Sequence, residues 1–119
     1  MQDYKRLRVI GRTREVIRAT YRLTRYFPKE EQFGLTAQMR RAAISVGLNI
    51  AEGCGRDSRK ELLRFLQMAR SSAMELEFAI IVSEDLEFGD PAARDEFAEL
   101  VQILIRELAA LIRTIRSRL

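Results

Sequence analysis

Arginines stand at positions 14, 18, 22 and 25, separated by four, four and three residues. On an α-helix this spacing lines four guanidinium groups along one face, and Lys29 extends the row. Three arrangements are compatible with such a row. It can track phosphates, since Arg meets phosphate oxygens bidentately. It can be a solvated face, or it can be neutralised by acidic residues further along the chain, with Glu75, Glu77, Glu84 and Asp85 as candidates. A sparser row, Arg106, Arg113 and Arg116, lies near the C-terminus, where the helix dipole already favours cations. A second pattern runs through Gln38, Arg41, Ser45, Asn49 and Glu52, spaced three, four, four and three. These polar groups form a ridge on an otherwise apolar helix and suit a hydrogen-bond network between helices or subunits; a ligand site is the alternative. Arg41 joins the row on the first helix as a candidate phosphate contact. Gln38, Ser45, Asn49 and Glu52 are the candidate structural network.

Catalysis has little to work with. The 119 residues include no His and one Cys, which removes the commonest general base, the usual zinc ligand sets and any disulfide framework. Cys54 has no His or Lys beside it to lower its pKa and reads as a small buried residue. Gly53-Cys54-Gly55-Arg56 lacks the Gly-Lys-Ser/Thr ending of a phosphate loop and follows no strand, so it reads as a helix terminator. No carboxylates pair on an inward face at catalytic spacing. The expectation is a protein that is not an enzyme and uses no cofactor or metal. Ala43 to Gly55 has a superficial helix-turn-helix look, but Val46, Ile50 and the polar ridge keep helical period straight through Gly47, where the turn would have to break it.

Charge is distributed unevenly. The net +4 comprises 18 Arg and only 3 Lys on the basic side. Residues 1–60 carry 14 Lys/Arg against 6 Asp/Glu, a surplus of +8, and residues 61–119 carry 7 against 11, a deficit of −4. A hydrophobic fraction of 47% is enough to fill a core. No apolar stretch approaches the ~20 residues that span a bilayer, and the charged start, Met1-Gln2-Asp3-Tyr4-Lys5-Arg6, does not resemble an export signal. Cytoplasmic residence without membrane association is expected.

Four helices must position these residues. Phe27-Pro28, Gly53-Cys54-Gly55 and Phe88-Gly89-Asp90-Pro91 punctuate a chain whose intervening segments carry helical period, predicting helices over 5–26, 34–53, 58–87 and 91–118 in one domain, 1–119. The first shows two adjacent stripes: Ile10, Ile17, Tyr21 and Thr24, and beside them Val9, Val16, Leu23 and Phe27. Ser58-Arg59-Lys60-Glu61 reads as a capping box and Asp90-Pro91 as an N-cap with proline in the first turn. Short loops favour antiparallel neighbours, so the fold class is all-α, an elongated up-down-up-down four-helix bundle. Apolar residues exceed one seam: Ile44, Leu48 and Ala51 in the second helix, and Leu63, Met74, Phe78, Ile81 and Val82 in the third. Either the core-facing arc is wide, or a face is covered by self-association.

The strings Phe27-Pro28-Lys29-Glu30-Glu31-Gln32-Phe33-Gly34-Leu35-Thr36, Gln38-Met39-Arg40-Arg41-Ala42-Ala43-Ile44-Ser45, Asn49-Ile50-Ala51-Glu52-Gly53 and Ser72-Ala73-Met74-Glu75-Leu76-Glu77 resemble the bacterial four-helix-bundle family named after proteins encoded in 23S rRNA intervening sequences. The resemblance runs nearly end to end. It implies an antiparallel bundle assembling into a homopentameric ring, without an established enzymatic activity. The related accessory variability determinants of diversity-generating retroelements are basic bundles that bind nucleic acid and a reverse transcriptase. By this similarity the family motif falls on Gln38, Arg40, Arg41, Ser45, Asn49, Glu52 and Gly53. Relatives usually have Pro where Gly47 stands and Trp where Ile10 stands. The combined expectation is an oligomeric bundle that associates with RNA or DNA through Arg14, Arg18, Arg22, Arg25, Lys29 and Arg41. The alternatives are an adaptor for a protein partner such as a reverse transcriptase, and a self-assembling scaffold with no nucleic-acid role.

Overall fold

The computed structural model describes residues 3–119. A short 3-10 turn, Tyr4–Arg6, leads into α1 (Arg8–Thr24); a second, Lys29–Glu31, precedes α2 (Leu35–Cys54), and α3 (Arg59–Asp85) and α4 (Pro91–Arg116) complete the chain. No strand occurs among the described residues. α1 starts later than residue 5 because Leu7 is extended, at φ −73° and ψ 131°, and separates it from the 3-10 turn capped by Asp3. α2 runs unbroken through Gly47, so no helix-turn-helix break exists there. It ends at Cys54 with Gly55 as its C-cap, within the Gly53-Cys54-Gly55-Arg56 segment expected to terminate it and one residue beyond the expected bound at 53.

Each helix packs on two neighbours, α1 on α2 and α4, and α3 on α2 and α4, leaving α1–α3 and α2–α4 as diagonals. Cross-helix contacts fix the directions. Ser45 meets Ser72 and Met39 meets Ser83. Thr24 meets Arg40, Arg12 meets Glu107, and Arg59 reaches the carbonyl of Arg118. In every pair a rising number on one helix faces a falling number on the next, so the neighbours are antiparallel. The result is a rod of 45 × 23 × 20 Å.

Of the two α1 stripes, Val9, Val16, Leu23 and the following Phe27 enter the core, while in the other Ile10 and Ile17 are half-buried, Tyr21 is exposed and Thr24 alone is buried. Threonine decides between them. Thr13, Thr20 and Thr24 complete the buried face by donating their hydroxyls to the carbonyls of Val9, Val16 and Thr20, at 2.7, 2.6 and 2.7 Å. A hydroxyl satisfied within its own helix can be buried at little cost, so this polar-looking side of α1 is as core-competent as an aliphatic one. α4 contributes Phe97, Val101, Leu104, Leu108, Ile112 and Ile115 to the same core.

The caps are local and specific. Ser58 Oγ accepts from the Glu61 amide at 3.1 Å, and Asp90 Oδ2 accepts from the Ala93 amide at 3.0 Å. The Glu61 carboxylate does not close the capping box; it pairs instead with Arg64 at 3.1 Å, which holds it below the usual carboxylate pKa. The α3–α4 turn passes through left-handed backbone at Glu87 (φ 57°) and Gly89 (φ 75°), where glycine is at ease. Arg94 holds this turn from inside: it is buried, and its guanidinium donates to the carbonyls of Phe88 at 2.7 Å and Gly89 at 3.1 Å. Arg94→Met would leave both acceptors unmatched, and an expected loss of about 1–3 kcal/mol is checked by urea denaturation. An unchanged midpoint would show that water replaces the arginine.

Candidate nucleic-acid interface

The α1 arginines face outward. Arg14, Arg18, Arg22 and Arg25 are exposed, as are Lys29, in the turn that follows Pro28, and Arg41 on α2. Among the described residues none of these six cations forms an ion pair; the ion pairs use Arg6, Arg12, Arg56 and Arg64 instead. Topology explains this. α3, which carries Glu75, Glu77, Glu84 and Asp85, lies diagonally across the bundle from α1, out of reach of its arginines. The α1 cation that pairs with an acid of a neighbouring helix is Arg12, whose Nε donates to Glu107 of α4 at 2.7 Å; this hydrogen bond raises its pKa. The row from Arg14 to Arg25 spans about 16 Å at ~1.5 Å per residue, the length of roughly five phosphates along one strand at ~3.4 Å each.

One aromatic side chain belongs to this face. Tyr21 falls on the i, i+4, i+7, i+11 line with Arg14, Arg18 and Arg25 and is 37% exposed. The Arg40 guanidinium lies 4.4 Å over its ring, while Arg40 Nε donates to Thr24 Oγ1 at 3.0 Å. The surface thus continues from α1 across Tyr21 and Arg40 to Arg41. Arg40 carries no distinguishing spacing signal; only the Gln-x-Arg-Arg string marks it.

The polar ridge of α2 divides. Ser45 and Ser72 hydroxyls lie 3.0 Å apart, and Asn49 Nδ2 donates to the Ser45 carbonyl at 2.9 Å and to its hydroxyl at 3.1 Å. This cluster ties α2 to α3 within the chain. Glu52 pairs with Arg56 at 2.8 Å, and Gln38 is exposed with no side-chain hydrogen bond among the described residues. Ser72 supplies the half of the cluster that spacing alone does not reveal, because a small residue between Ala69 and Leu76 is indistinguishable from packing.

The surplus apolar residues divide too. Leu63 joins the core, and Ile44, Ala51 and Val82 are half-buried. Met74, Phe78 and Ile81 of α3 remain 48%, 64% and 50% exposed, and Leu48 of α2 65%. Between α1 and α4 a groove of about 470 Å³ has an apolar floor including Leu23, Phe97 and Leu100, with Arg22, Asp90, Glu96 and Glu99 among its lining. Arg106, Arg113 and Arg116 are exposed along α4, the last two in its final turn. Cys54 is buried, and burial pushes its thiol pKa up, the reverse of what a nucleophile needs. Among the described residues no group of three or more His, Cys, Asp or Glu is placed to hold a metal, and no helix is long and apolar enough to cross a membrane.

A family model described as 23S rRNA-intervening sequence protein matches residues 5–110. No curated protein matches. Among solved structures, a protein of unknown function from the S23 ribosomal protein family of Bacteroides thetaiotaomicron superposes with a TM-score of 0.80 at 20% identity, over 87% of this chain and 97% of that one. At that identity the likeness is one of fold.

Proposed function

We propose, from the premise that the chain belongs to the 23S rRNA-intervening sequence protein family, that it is a non-enzymatic bundle that binds RNA or DNA phosphates through the outer face of α1. The observation that carries this is the row Arg14, Arg18, Arg22 and Arg25, exposed and without ion pairs among the described residues. Placing like charges at i, i+4 costs helix stability, and among the described residues no ion pair offsets it; a polyanion would. Lys29 and Arg41 flank the row and widen the footprint. The absence of His from the sequence and the raised pKa of Cys54 support binding over catalysis. Work in the cytoplasm fits a phosphate-binding role and a lone thiol. The deciding measurement is binding of a generic single-stranded RNA across a salt series. Affinity that falls steeply with salt supports the reading, and no binding near physiological salt overturns it.

The same proposal includes self-assembly, as a homopentamer, through the α3 surface of Met74, Phe78 and Ile81, whose exposure is uncommon for a chain that remains monomeric. Sedimentation velocity at micromolar concentration should show a five-chain species, and Phe78→Asp should reduce it to single chains. A monomer before mutation would remove this part. It would also favour the second reading, an adaptor whose Phe78 surface seats a protein partner such as a reverse transcriptase.

A further inference from the structure

We infer that the connection between α1 and α2 is a base-stacking platform, on which the rings of Tyr26 and Phe33 take unpaired bases of a single strand whose phosphates lie along α1. These two are the most exposed large apolar side chains of the described residues, at 77% and 89%. Among the described residues neither meets another ring or a cation, whereas Tyr21 already carries Arg40 on its face.

Position ties Tyr26 to the arginine row. It stands four residues after Arg22, so the line Arg14, Arg18, Arg22 runs on into its ring about 6 Å further along. The helical backbone reaches that far: the Tyr26 and Phe27 amides donate to the carbonyls of Leu23 and Thr24 at 3.3 and 3.0 Å. The next side chain goes the other way. Phe27 is buried and packs against Phe88, with ring centroids 5.6 Å apart, which pins the connection and leaves Tyr26 outside. Phe33 is carried by the turn that starts α2, where Glu31 accepts from the Gly34 amide through its carbonyl and from the Leu35 amide through its carboxylate, both at 3.0 Å. Rings on a backbone already fixed lose little freedom when a base covers them.

Charge selects the occupant. Tyr26 lines the α1–α4 groove together with Arg22 of its own helix, and Asp90, Glu96 and Glu99 stand across from them. Phosphates are drawn to the arginine and repelled by the acids, while a base is uncharged and can cover the ring. Lys29, exposed, stands between the two aromatics in the connection. Phe78 of α3 makes the contrast: it shares its surface with Glu75 and no cation, which gives a polyanion no hold. Stacking on an aromatic ring tolerates any sequence, because every base has a π-face. In a duplex those faces are covered by neighbouring bases, so the platform selects single strands.

The inference rests on phosphate binding by α1 and says which strands that face takes. Two strands of about 12 nucleotides, one an adenine RNA and the other abasic, carry the same phosphates and differ in their bases. Filter binding of both to the full chain across a salt series tests the platform. The adenine strand should bind about 100-fold more tightly, roughly tenfold for each ring. Tyr26→Ala and Phe33→Ala, at exposed positions where the fold has little at stake, should each remove about tenfold of this at every salt concentration. The salt slope should not change, because stacking releases no counterions. Tyr26→Phe, which keeps the ring, should bind as the parent does. Neither alanine variant should weaken binding of an adenine–uracil duplex. Equal affinities for the adenine and abasic strands, with a steep salt dependence, overturn the platform and leave the α1 reading standing; alanine variants without effect on the adenine strand do the same. If the alanine variants instead reduce the free chain to smaller species in sedimentation, the rings belong to a contact between copies and the platform falls. Adenine-strand binding that is weakened by Tyr26→Ala but not by Arg18→Glu with Arg22→Glu keeps the rings and sinks the arginine row. No binding of either strand removes both.

Discussion

Changing Arg18 and Arg22 together to Glu is expected to lower affinity for single-stranded RNA by at least ~100-fold at low salt and to flatten its salt dependence. If four phosphates are neutralised by Arg14, Arg18, Arg22 and Arg25, the logarithmic salt slope should be about −2.8, at ~−0.7 per contact for a single strand, which corresponds to roughly a 50-fold loss between 50 and 200 mM salt. The double reversal removes two of those contacts and sets two carboxylates among the remaining two cations, so the slope should approach zero. Both side chains are exposed and form no ion pair among the described residues, so the fold should be unaffected within about 0.5 kcal/mol; circular dichroism monitors this. The informative control is Arg106→Glu with Arg113→Glu on α4. It changes net charge by the same amount at exposed positions on another helix. Equal losses from the two pairs would mean that total charge, and not the α1 face, governs binding. Filter binding across a salt series measures both.

Residues 1–60 could announce that face because its signal is local. Four side chains at helical spacing in one segment need only the segment to be helical. Whether acidic residues elsewhere neutralise them depends on which helices adjoin, and the answer follows from the cyclic order of the bundle, which sets α1 and α3 on a diagonal. The same distinction separates the two fates of the α2 ridge. Ser45 and Asn49 are brought together by helical repeat alone, whereas their partner Ser72 enters through the α2–α3 register. Arg40 is the instructive case. Neither its neighbour Arg41 nor the polar ridge distinguishes it, and its character comes from Tyr21 and Thr24 of another helix.

The apolar pattern was legible to a similar depth. α4 has a single seam, and Phe97, Val101, Leu104, Leu108 and Ile112 are its buried side. α1 offers two adjacent aliphatic stripes, and the choice falls to Thr13, Thr20 and Thr24, whose hydroxyls are satisfied by their own helix. A hydrophobicity scale counts those threonines as polar, although their burial costs little once the hydrogen bond is made. The overflow on α3, by contrast, reads correctly as more than a core requires only after Leu63 is subtracted, since that residue is buried beside Leu62 and Leu66.

Gly53→Ala is the substitution expected to cost the fold most for the fewest atoms. A Cβ at this position would lie 2.8 Å from Phe65 Cβ, 3.2 Å from Leu62 Cδ1 and 3.3 Å from the Leu62 carbonyl oxygen. Two of these neighbours are fixed points of α3, a β-carbon and a backbone oxygen, so relief requires α2 and α3 to separate at the end where their connection is shortest. Overpacking of this kind costs about 1–3 kcal/mol. At ~2.1 cal/mol/K per residue, a chain of this length loses about 4 °C per kcal/mol, so the midpoint should fall by roughly 4–12 °C. Gly11→Ala makes the opposite case. It is exposed within α1 and has nothing within 4 Å of an added methyl, so it should gain about 0.5–1 kcal/mol from reduced backbone entropy of the unfolded chain. Thermal melts of both variants at one chain concentration decide the matter, since self-association would otherwise shift the midpoint. Two alanines of equal and small effect would mean that α2 and α3 accommodate the added methyl by a small shift. A loss confined to Gly53→Ala would show that its role is to let the backbone of α2 approach Phe65 and Leu62, within a helix that continues past it to Cys54.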